Sequence, residues 1–291
     1  MSVNTQKSLM ALNSTQKTLS GVEIPVLGFG VYEVPVTEAE EVTTKALNAG
    51  YRHVDSAAWY ENEMQCVSAI QKAGLKRSDV FLTTKILPEP AGKGVGYEAT
   101  KKSIQQSLKH AQTDYFDLIL IHAPYGGKEA RLGTWRALVE AQEAGQARSV
   151  GVSNYGIHHL EELEEYIQSG GGGQIEVGQY ELHPWLGRAD LVQWLRQRGA
   201  IIEAYSPLVR GNRLNEPVLQ TLSEKHNKSP AQILIRWSLQ MGFVPLPKSC
   251  TPERIVENAD VFNFQLDEDD MELLHTDEYS PSPWDPTVDR D

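Results

Sequence analysis

The 291-residue sequence has little cysteine, a deficit of basic residues and no long apolar run. Its two cysteines, Cys66 and Cys250, are too few for a disulfide framework or a cysteine metal site, which favours a reduced, cytoplasmic setting. The net charge of −12 argues against nucleic acid and anionic membrane surfaces as partners. No apolar stretch reaches the roughly 20 residues that a membrane span requires. Nucleic-acid, membrane-spanning and disulfide-rich classes are therefore disfavoured.

The length fits one domain over residues 1–291, because a chain of this size buries roughly 75% of its unfolded surface without metal or disulfides. Residues 1–17 lack the apolar core of a signal peptide and the arginines of a transit peptide, so we expect a loose tail. Residues 18–28, TLSGVEIPVLG, predict a hairpin that turns at Ser20 and Gly21. Residues 276–291 form a C-terminal tail that could fold over a binding site or extend freely.

Apolar runs alternate with amphipathic patterns along the rest of the chain. Near-continuous apolar runs are expected where a parallel strand is covered on both faces. Ser229 followed by Pro230 is a typical helix start. The pattern predicts an α/β fold, either a (β/α)8 barrel or a doubly wound parallel sheet. Strands are expected at 26–30, 52–56, 80–86, 116–122, 149–153, 175–180, 201–206 and 244–248, and helices at 38–48, 97–110, 129–144, 158–169, 189–198 and 230–240.

Three polar residues end apolar runs, and a tyrosine follows one of them. Asp55, Lys85 and His122 each close a predicted strand, and Tyr60 lies five residues beyond Asp55. The active site of a parallel barrel is built from residues at the carboxyl ends of its strands. We therefore expect these four side chains to meet at one rim of the fold.

The four residue types suit the protonation of a carbonyl oxygen while its carbon is attacked. Tyr60 can donate a proton, although a phenol with a pKa near 10 releases it reluctantly. A cationic Lys85 beside it would favour the phenolate and lower the pKa of Tyr60. Asp55 would keep Lys85 charged, and His122 would hold the carbonyl through a ring N–H. A well-placed general acid contributes on the order of 10²–10⁴ in rate.

Each of the four residues also has a structural explanation. An Asp–Lys pair inside a barrel is often only a buried ion pair, and a tyrosine or histidine at a strand end often serves packing or hydrogen bonding. Their coincidence at one rim favours function. A second catalytic interpretation makes Lys85 a Schiff-base nucleophile of an aldolase-like barrel, although an amine paired with Asp55 would stay protonated and react poorly.

Eight sequence blocks together resemble the aldo-keto reductase family, and no single block would be specific alone. The match extends over roughly residues 18–275. The resemblance implies an eight-stranded (β/α)8 TIM barrel with an N-terminal hairpin, and an NADPH-dependent reductase of small carbonyl compounds. In chain order the blocks are GFGVYEVP (28–35), HVDSAAWYENE (53–63), TTK (83–85), DLILIHAP (117–124), GVSNY (151–155), QYELHPW (179–185), AYSPL (204–208) and PKSCTPERIVEN (247–258).

The resemblance also implies roles for individual residues. Tyr60 would be the general acid, Lys85 and Asp55 its tuning pair, and His122 the residue that orients the carbonyl. Ser153, Asn154 and Gln179 would bind the nicotinamide carboxamide, Tyr205 would stack on the nicotinamide ring, and Ser206 and Leu208 would line the pyrophosphate path. Lys248, Ser249 and Arg254 would hold the 2′-phosphate, and Glu257 and Asn258 would contact adenine.

The charge pattern beyond the last predicted strand favours NADPH over NADH. Lys248 and Arg254 place two cations beside Ser249, a combination suited to a phosphomonoester. Solvated charges at an ordinary helix start are the alternative explanation. A Rossmann-type dinucleotide site is not expected. Gly28-Phe29-Gly30 lacks the third glycine and the following helix of that fingerprint. No metal is expected, because His158 and His159, at a predicted helix start, should face solvent.

Tyr32 and Trp59 each follow a strand end beside the proposed chemistry and are expected to form walls of the substrate pocket. The family often has tryptophan directly after the catalytic histidine, and this chain has Ala123, which would widen the pocket. We expect small or medium aldehydes and ketones, keto esters among them, as substrates. The protein is expected to be a monomer or a weak homo-oligomer. A non-catalytic NADPH sensor remains the alternative, although the complete set of four speaks against it.

Overall fold

The computed structural model describes residues 10–87 and 96–290. The chain begins with an antiparallel hairpin in which β1 (Thr15–Lys17) pairs with β2 (Glu23–Pro25). Gly21 lies in the connecting turn with a φ of 89°, a value that glycine adopts readily. The first strand starts within the segment expected to be a loose tail, and residues 1–9 of that tail lie outside the described residues. The expectation of a loose tail was therefore wrong for residues 15–17, because their backbone pairs with β2.

Eight further strands form one parallel sheet in the order β10-β9-β8-β7-β6-β5-β4-β3. Backbone hydrogen bonds from Gly28 N to Pro245 O (3.0 Å) and from Gly30 N to Pro247 O (3.1 Å) join its two edges and close it. The barrel prediction is confirmed, and the doubly wound alternative was wrong. The strands are β3 (Phe29–Gly30), β4 (His53–Asp55), β5 (Phe81–Ile86), β6 (Phe116–Ile121), β7 (Ala147–Ser153), β8 (Val177–Glu181), β9 (Ile201–Tyr205) and β10 (Val244–Leu246).

Helices connect successive strands, with α7 and α8 both lying between β9 and β10. At the start of α8, Ser229 Oγ accepts from Gln232 N and Ser229 N donates to Gln232 Oε1 (3.0 Å), which confirms the predicted start. No helix among the described residues is long and apolar enough to cross a membrane. The helices are α1 (Val36–Asn48), α2 (Glu63–Lys72), α3 (Tyr97–Ala111), α4 (Gly127–Glu143), α5 (Ile157–Tyr166), α6 (Ala189–Gln197), α7 (Pro217–His226), α8 (Pro230–Gln240), α9 (Pro252–Ala259) and α10 (Glu268–Leu273).

The hydrophobic core has two parts, one between barrel and helices and one inside the barrel. The inner part joins Val22 and Ile24 of the hairpin to residues at the starts of the strands, such as Phe81 and Val177. The hairpin therefore covers the amino-terminal end of the barrel. The carboxyl-terminal end is left for a site, as in other parallel barrels.

The C-terminal segment folds back over the carboxyl-terminal end of the barrel. Ser280 N donates to Trp185 O (2.9 Å), and Ser282 N donates to the Glu181 carboxylate (2.9 Å). Arg188 forms an ion pair with Asp285 at 2.9 Å. Of the two possibilities that the sequence left open, the tail takes the one that covers the site.

Candidate active site

The four residues singled out in the sequence meet at the carboxyl-terminal end of the barrel. Asp55 ends β4, Lys85 lies near the end of β5, and His122 directly follows β6. Tyr60 ends a short helical turn, Ala58–Tyr60, which returns from β4 toward the barrel axis. Parallel strands bring these residues together because their carboxyl ends share one rim.

Lys85 is the centre of the cluster, and its side chain is only 1% exposed. Its Nζ donates to Asp55 Oδ2 at 2.7 Å and to the Ser56 carbonyl at 2.9 Å. It also lies 3.5 Å from the Tyr60 hydroxyl. The ammonium charge is thus held by one carboxylate and one carbonyl, and it faces the phenol.

Burial decides the protonation of Tyr60 in this structure. It raises the pKa of Tyr60 well above its usual value, and the Asp55 carboxylate acts in the same direction. The pKa of Tyr60 is therefore not lowered as expected, because the loss of water around the buried phenol outweighs the effect of the Lys85 ammonium 3.5 Å away. Tyr60 keeps its proton in the resting site, with the ammonium placed to stabilise a phenolate once the proton leaves.

His122 is a neutral hydrogen-bonding residue. Burial, together with the nearby Lys85 cation, lowers the pKa of His122 to about 3. Its ring centroid lies 5.7 Å from that of Tyr60, edge to face. A neutral imidazole can donate one N–H to a carbonyl oxygen that also reaches the Tyr60 hydroxyl.

A second polar cluster lies directly beneath Asp55, inside the barrel. Gln179 Nε2 donates to Asp55 Oδ1 and to Glu203 Oε2, both at 2.8 Å. Glu203 is fully buried, and its Oε1 lies 3.6 Å from His53 Nε2. Burial and the Asp55 charge raise the pKa of Glu203 to about 8, whereas burial lowers the pKa of His53 to about 4.

Sequence reasoning missed Glu203 and His53. The available signal was an acidic residue inside the apolar run IIEAYS at 201–206, since a buried carboxyl requires a partner. The partners could not be read from the sequence, because Gln179 and Asp55 belong to other strands, β8 and β4, whose register with β9 is set only by the closed barrel.

A cavity of about 760 Å³ opens above these residues and extends toward α9. The four-residue cluster lies at one end of it, although Lys85 itself is covered by its neighbours. All of the residues expected to bind the cofactor line this cavity: Ser153, Asn154, Gln179, Tyr205, Ser206, Leu208, Lys248, Ser249, Arg254, Glu257 and Asn258.

The amide group of Asn154 connects the cavity wall to His122 at the end of β6. Its Nδ2 donates to the His122 carbonyl (2.9 Å) and to Ser153 Oγ (3.0 Å), and its Oδ1 accepts from the Tyr205 hydroxyl (2.8 Å). Asn154 has a φ of 61°, a left-handed conformation that asparagine tolerates better than most residues. These bonds fix the Tyr205 ring against the cavity.

Cationic side chains lie at the far end of the cavity. Lys248 and Arg254 are exposed, and neither forms a salt bridge with any residue in 10–87 or 96–290. Ser249 Oγ accepts from Thr251 N (3.0 Å) just before α9. Arg210 lines the cavity on the side of Tyr32, whose ring centroid lies 5.7 Å from its guanidinium, and it forms an ion pair with Glu33. The end of the cavity that holds Lys248 and Arg254 suits an anionic group.

Aromatic residues form the rim on the other side. Tyr32 stacks with Trp59 at 6.3 Å between ring centroids, and Trp59 is 62% exposed. Trp284, from the C-terminal segment, stands edge-on to His122 at 6.1 Å and donates to the Tyr125 hydroxyl. Ala123 is fully buried and is not among the described residues that line the cavity, so its expected place in the substrate pocket was wrong. Trp284 occupies the side of His122 that Ala123 was expected to widen.

No cluster of three or more potential metal ligands occurs in the described parts of the chain. His158 is exposed, as expected, whereas His159 is buried, and its Nδ1 accepts from Gly156 N at 3.1 Å. The expectation for His159 was therefore wrong, because its side chain turns back to the first turn of α5.

Fold and site together describe a (β/α)8 barrel in which a buried Lys–Asp pair, a tyrosine and a neutral histidine meet at one end of an elongated cavity. Residues 27–276 match the model of the Aldo/keto reductase family. The chain belongs to this family and is an oxidoreductase; members of the family use nicotinamide cofactors and reduce small carbonyl compounds.

Several relatives align over most of their length. Glyoxal reductase of Bacillus subtilis is 42% identical over 265 residues, covering 91% of this chain and 92% of that protein. An uncharacterized oxidoreductase of Schizosaccharomyces pombe is 43% identical, covering 94% and 97%. The crystal structure of an aldo/keto reductase from Brucella melitensis superposes with a TM-score of 0.84 at 40% identity, covering 92% and 98%.

Proposed function

We propose that this protein uses NADPH to reduce small and medium aldehydes and ketones, keto esters among them. The observation that carries the proposal is the convergence of Lys85, Tyr60 and His122 at the cavity. The Lys85 ammonium lies 3.5 Å from the Tyr60 hydroxyl, and His122 faces the same phenol at 5.7 Å. Family membership supports the reaction class.

Each residue of the cluster has a separate task in this proposal. Tyr60 holds a proton at Oη and gives it to the carbonyl oxygen as that oxygen gains negative charge. Lys85 stabilises the phenolate that remains, and Asp55 keeps Lys85 charged and directed. His122 donates an N–H to the same oxygen and fixes its position between the two donors. The product is the corresponding alcohol.

The residues that line the rest of the cavity fit a reduced nicotinamide dinucleotide phosphate. When bound, NADPH supplies the hydride. Tyr205, held by Asn154, presents a ring for stacking, while Ser153, Asn154 and Gln179 offer polar groups for a carboxamide. Ser206 and Leu208 would line the pyrophosphate path.

The preference for NADPH over NADH rests on the far end of the cavity. Lys248 and Arg254 would bind the 2′-phosphate there, together with the Ser249 hydroxyl. Both cations line the cavity, and neither has a salt-bridge partner within the described residues. A phosphate could therefore bind them without displacing a carboxylate of the protein. Glu257 and Asn258 line the same end and would contact the adenine.

The substrate would lie between His122 and the aromatic rim. Tyr32, Trp59 and Trp284 line that end of the cavity. The name of the Bacillus subtilis relative, glyoxal reductase, makes small dicarbonyl compounds the first substrates to try. We further propose that the chain acts as one catalytic domain in the cytoplasm, as a monomer or a weak homo-oligomer.

The Schiff-base interpretation finds no support in the geometry. Lys85 is 1% exposed, and its amine donates to Asp55 and Ser56 while facing Tyr60. A nucleophilic lysine must lose a proton and reach the substrate, and this arrangement opposes both.

The proposal is tested by following NADPH oxidation with glyoxal, methylglyoxal and a panel of larger aldehydes, ketones and keto esters. NADPH binding is measured in parallel by quenching of tryptophan fluorescence. We expect tight binding and turnover of at least one carbonyl class. Tight binding without turnover on any member would support the sensor interpretation instead, and absence of binding would contradict both.

A further inference from the structure

Glu203 is a buried carboxyl group to which the proposed mechanism assigns no role. It lies on β9 beside Gln179 of β8, and the two residues are paired in the sheet register. Both side chains point into the barrel, where Glu203 is 0% and Gln179 is 2% exposed. An acidic side chain in such a place requires compensation by hydrogen bonds or by charge.

The two acceptors around Gln179 determine which way its amide faces. An amide nitrogen carries two hydrogens, and here one is directed to Asp55 and the other to Glu203, both at 2.8 Å. The amide oxygen has no hydrogen-bond partner among the residues that the structure describes, and Gln179 lines the cavity. Gln179 therefore offers an acceptor, and no donor, to a ligand.

The charge balance of this cluster favours an uncharged Glu203. Asp55 must be ionised to pair with Lys85 at 2.7 Å, and a second carboxylate sharing the same amide would leave one negative charge unpaired in the barrel. Burial and the Asp55 charge raise the pKa of Glu203 accordingly. The groups that face Glu203 are Asp55, His53 and Lys85, in addition to the neutral Gln179.

We propose that Glu203 is a positioning residue that holds the Gln179 amide with its oxygen toward the cavity, so that the site selects a carboxamide over a carboxylate on the cofactor ring. This inference rests on the proposed function, since it assumes that the ring end of a nicotinamide cofactor reaches Gln179. An acceptor facing the ring matches the N–H groups of a carboxamide and repels a carboxylate.

The test compares dissociation constants for NADP⁺ and for its nicotinic acid analogue, which carries a carboxylate in place of the carboxamide. Wild-type protein should bind NADP⁺ at least tenfold more tightly. Glu203→Gln keeps a carbonyl acceptor for Gln179 and should preserve this ratio within about threefold. Glu203→Met, of similar length, removes the acceptor and should lower the ratio at least fivefold, because the Gln179 amide is then held by Asp55 alone and can rotate to present an N–H to the ligand.

Glu176→Gln is the matched control, because it replaces a buried carboxyl near the amino-terminal end of the barrel that contacts Ser20 and Gln142. Thermal unfolding of each variant shows that it is folded, and Glu203→Leu replaces Glu203→Met if the latter is not. Two results would overturn the positioning role while leaving the reductase proposal intact. One is a folded apolar variant with the wild-type ratio of dissociation constants for the two ligands. The other is a fall of that ratio in Glu203→Gln as large as in the apolar variant. Failure of the wild type to bind NADP⁺ would overturn both.

Discussion

The stability of Glu203→Gln relative to wild type should increase as the pH rises. The pKa of Glu203 rises from an ordinary value of 4.5 to about 8 on folding, because the folded barrel removes water from the carboxyl and places Asp55 nearby. The folded chain therefore retains this proton more strongly than the unfolded chain does. Below pH 4.5 the stabilisation from this linkage is fully present, and it is lost progressively as the pH rises to about 8.

The size of the effect follows from proton linkage at about 1.4 kcal/mol per pH unit. Between pH 5 and pH 7.5 this linkage should lower the unfolding free energy of the wild type by about 3 kcal/mol. The glutamine variant has no titrating group at position 203, so it should not show this loss. His53, whose pKa is lowered to about 4, titrates in both proteins, so its contribution largely cancels in the difference.

Urea denaturation at closely spaced pH values, followed by tryptophan fluorescence, measures this difference. The difference between wild type and Glu203→Gln should widen steadily with pH. Glu203→Met is an internal control, because the difference between the two variants should stay constant with pH even if their stabilities differ. A constant difference between wild type and Glu203→Gln would refute the reasoning, since it would mean that Glu203 is ionised throughout the range.

Three further sets of substitutions probe other parts of the site. Lys248→Ala combined with Arg254→Ala should weaken NADPH binding by roughly 100-fold, because two charge-assisted contacts are lost, and NADH binding by less than about threefold; an equal loss would contradict the 2′-phosphate assignment. Asp55→Ala should lower the unfolding free energy by about 3–5 kcal/mol, because it leaves Lys85 buried and unpaired, and adding Lys85→Met should recover part of the loss in urea denaturation. Trp284→Ala should raise kcat/KM for bulky ketones relative to small aldehydes, and an unchanged ratio would show that the C-terminal segment does not limit the pocket.

The barrel and the placement of the four-residue cluster could be predicted from the sequence because both depend on local patterns. Each strand is a short apolar run, and Asp55, Lys85 and His122 stand where such runs end. Parallel strands then place these residues on one rim whatever the loops do. The eight strands were expected within a few residues of where the structure has them.

Other features depend on contacts between residues far apart in the chain. The hydrogen bond from Gln179 to Asp55 spans 124 positions, and the one from Arg188 to Asp285 spans 97. No sequence pattern predicts that the C-terminal segment binds beside β8 and places Trp284 at His122. The raised pKa of Tyr60 was not predicted for a related reason, because it depends on how deeply the folded barrel buries the phenol and on the nearby Asp55 charge.

The central claim is that the Tyr60 hydroxyl donates the proton that completes carbonyl reduction. The most direct measurement is the single-turnover rate of NADPH oxidation in Tyr60→Phe, with NADPH saturating and its binding measured separately. The claim predicts a loss of roughly 10²–10⁴ in rate with NADPH affinity retained, while Tyr97→Phe, a control on α3 whose hydroxyl contacts Glu140, keeps the wild-type rate. Turnover in Tyr60→Phe at a rate close to that of the control would contradict it.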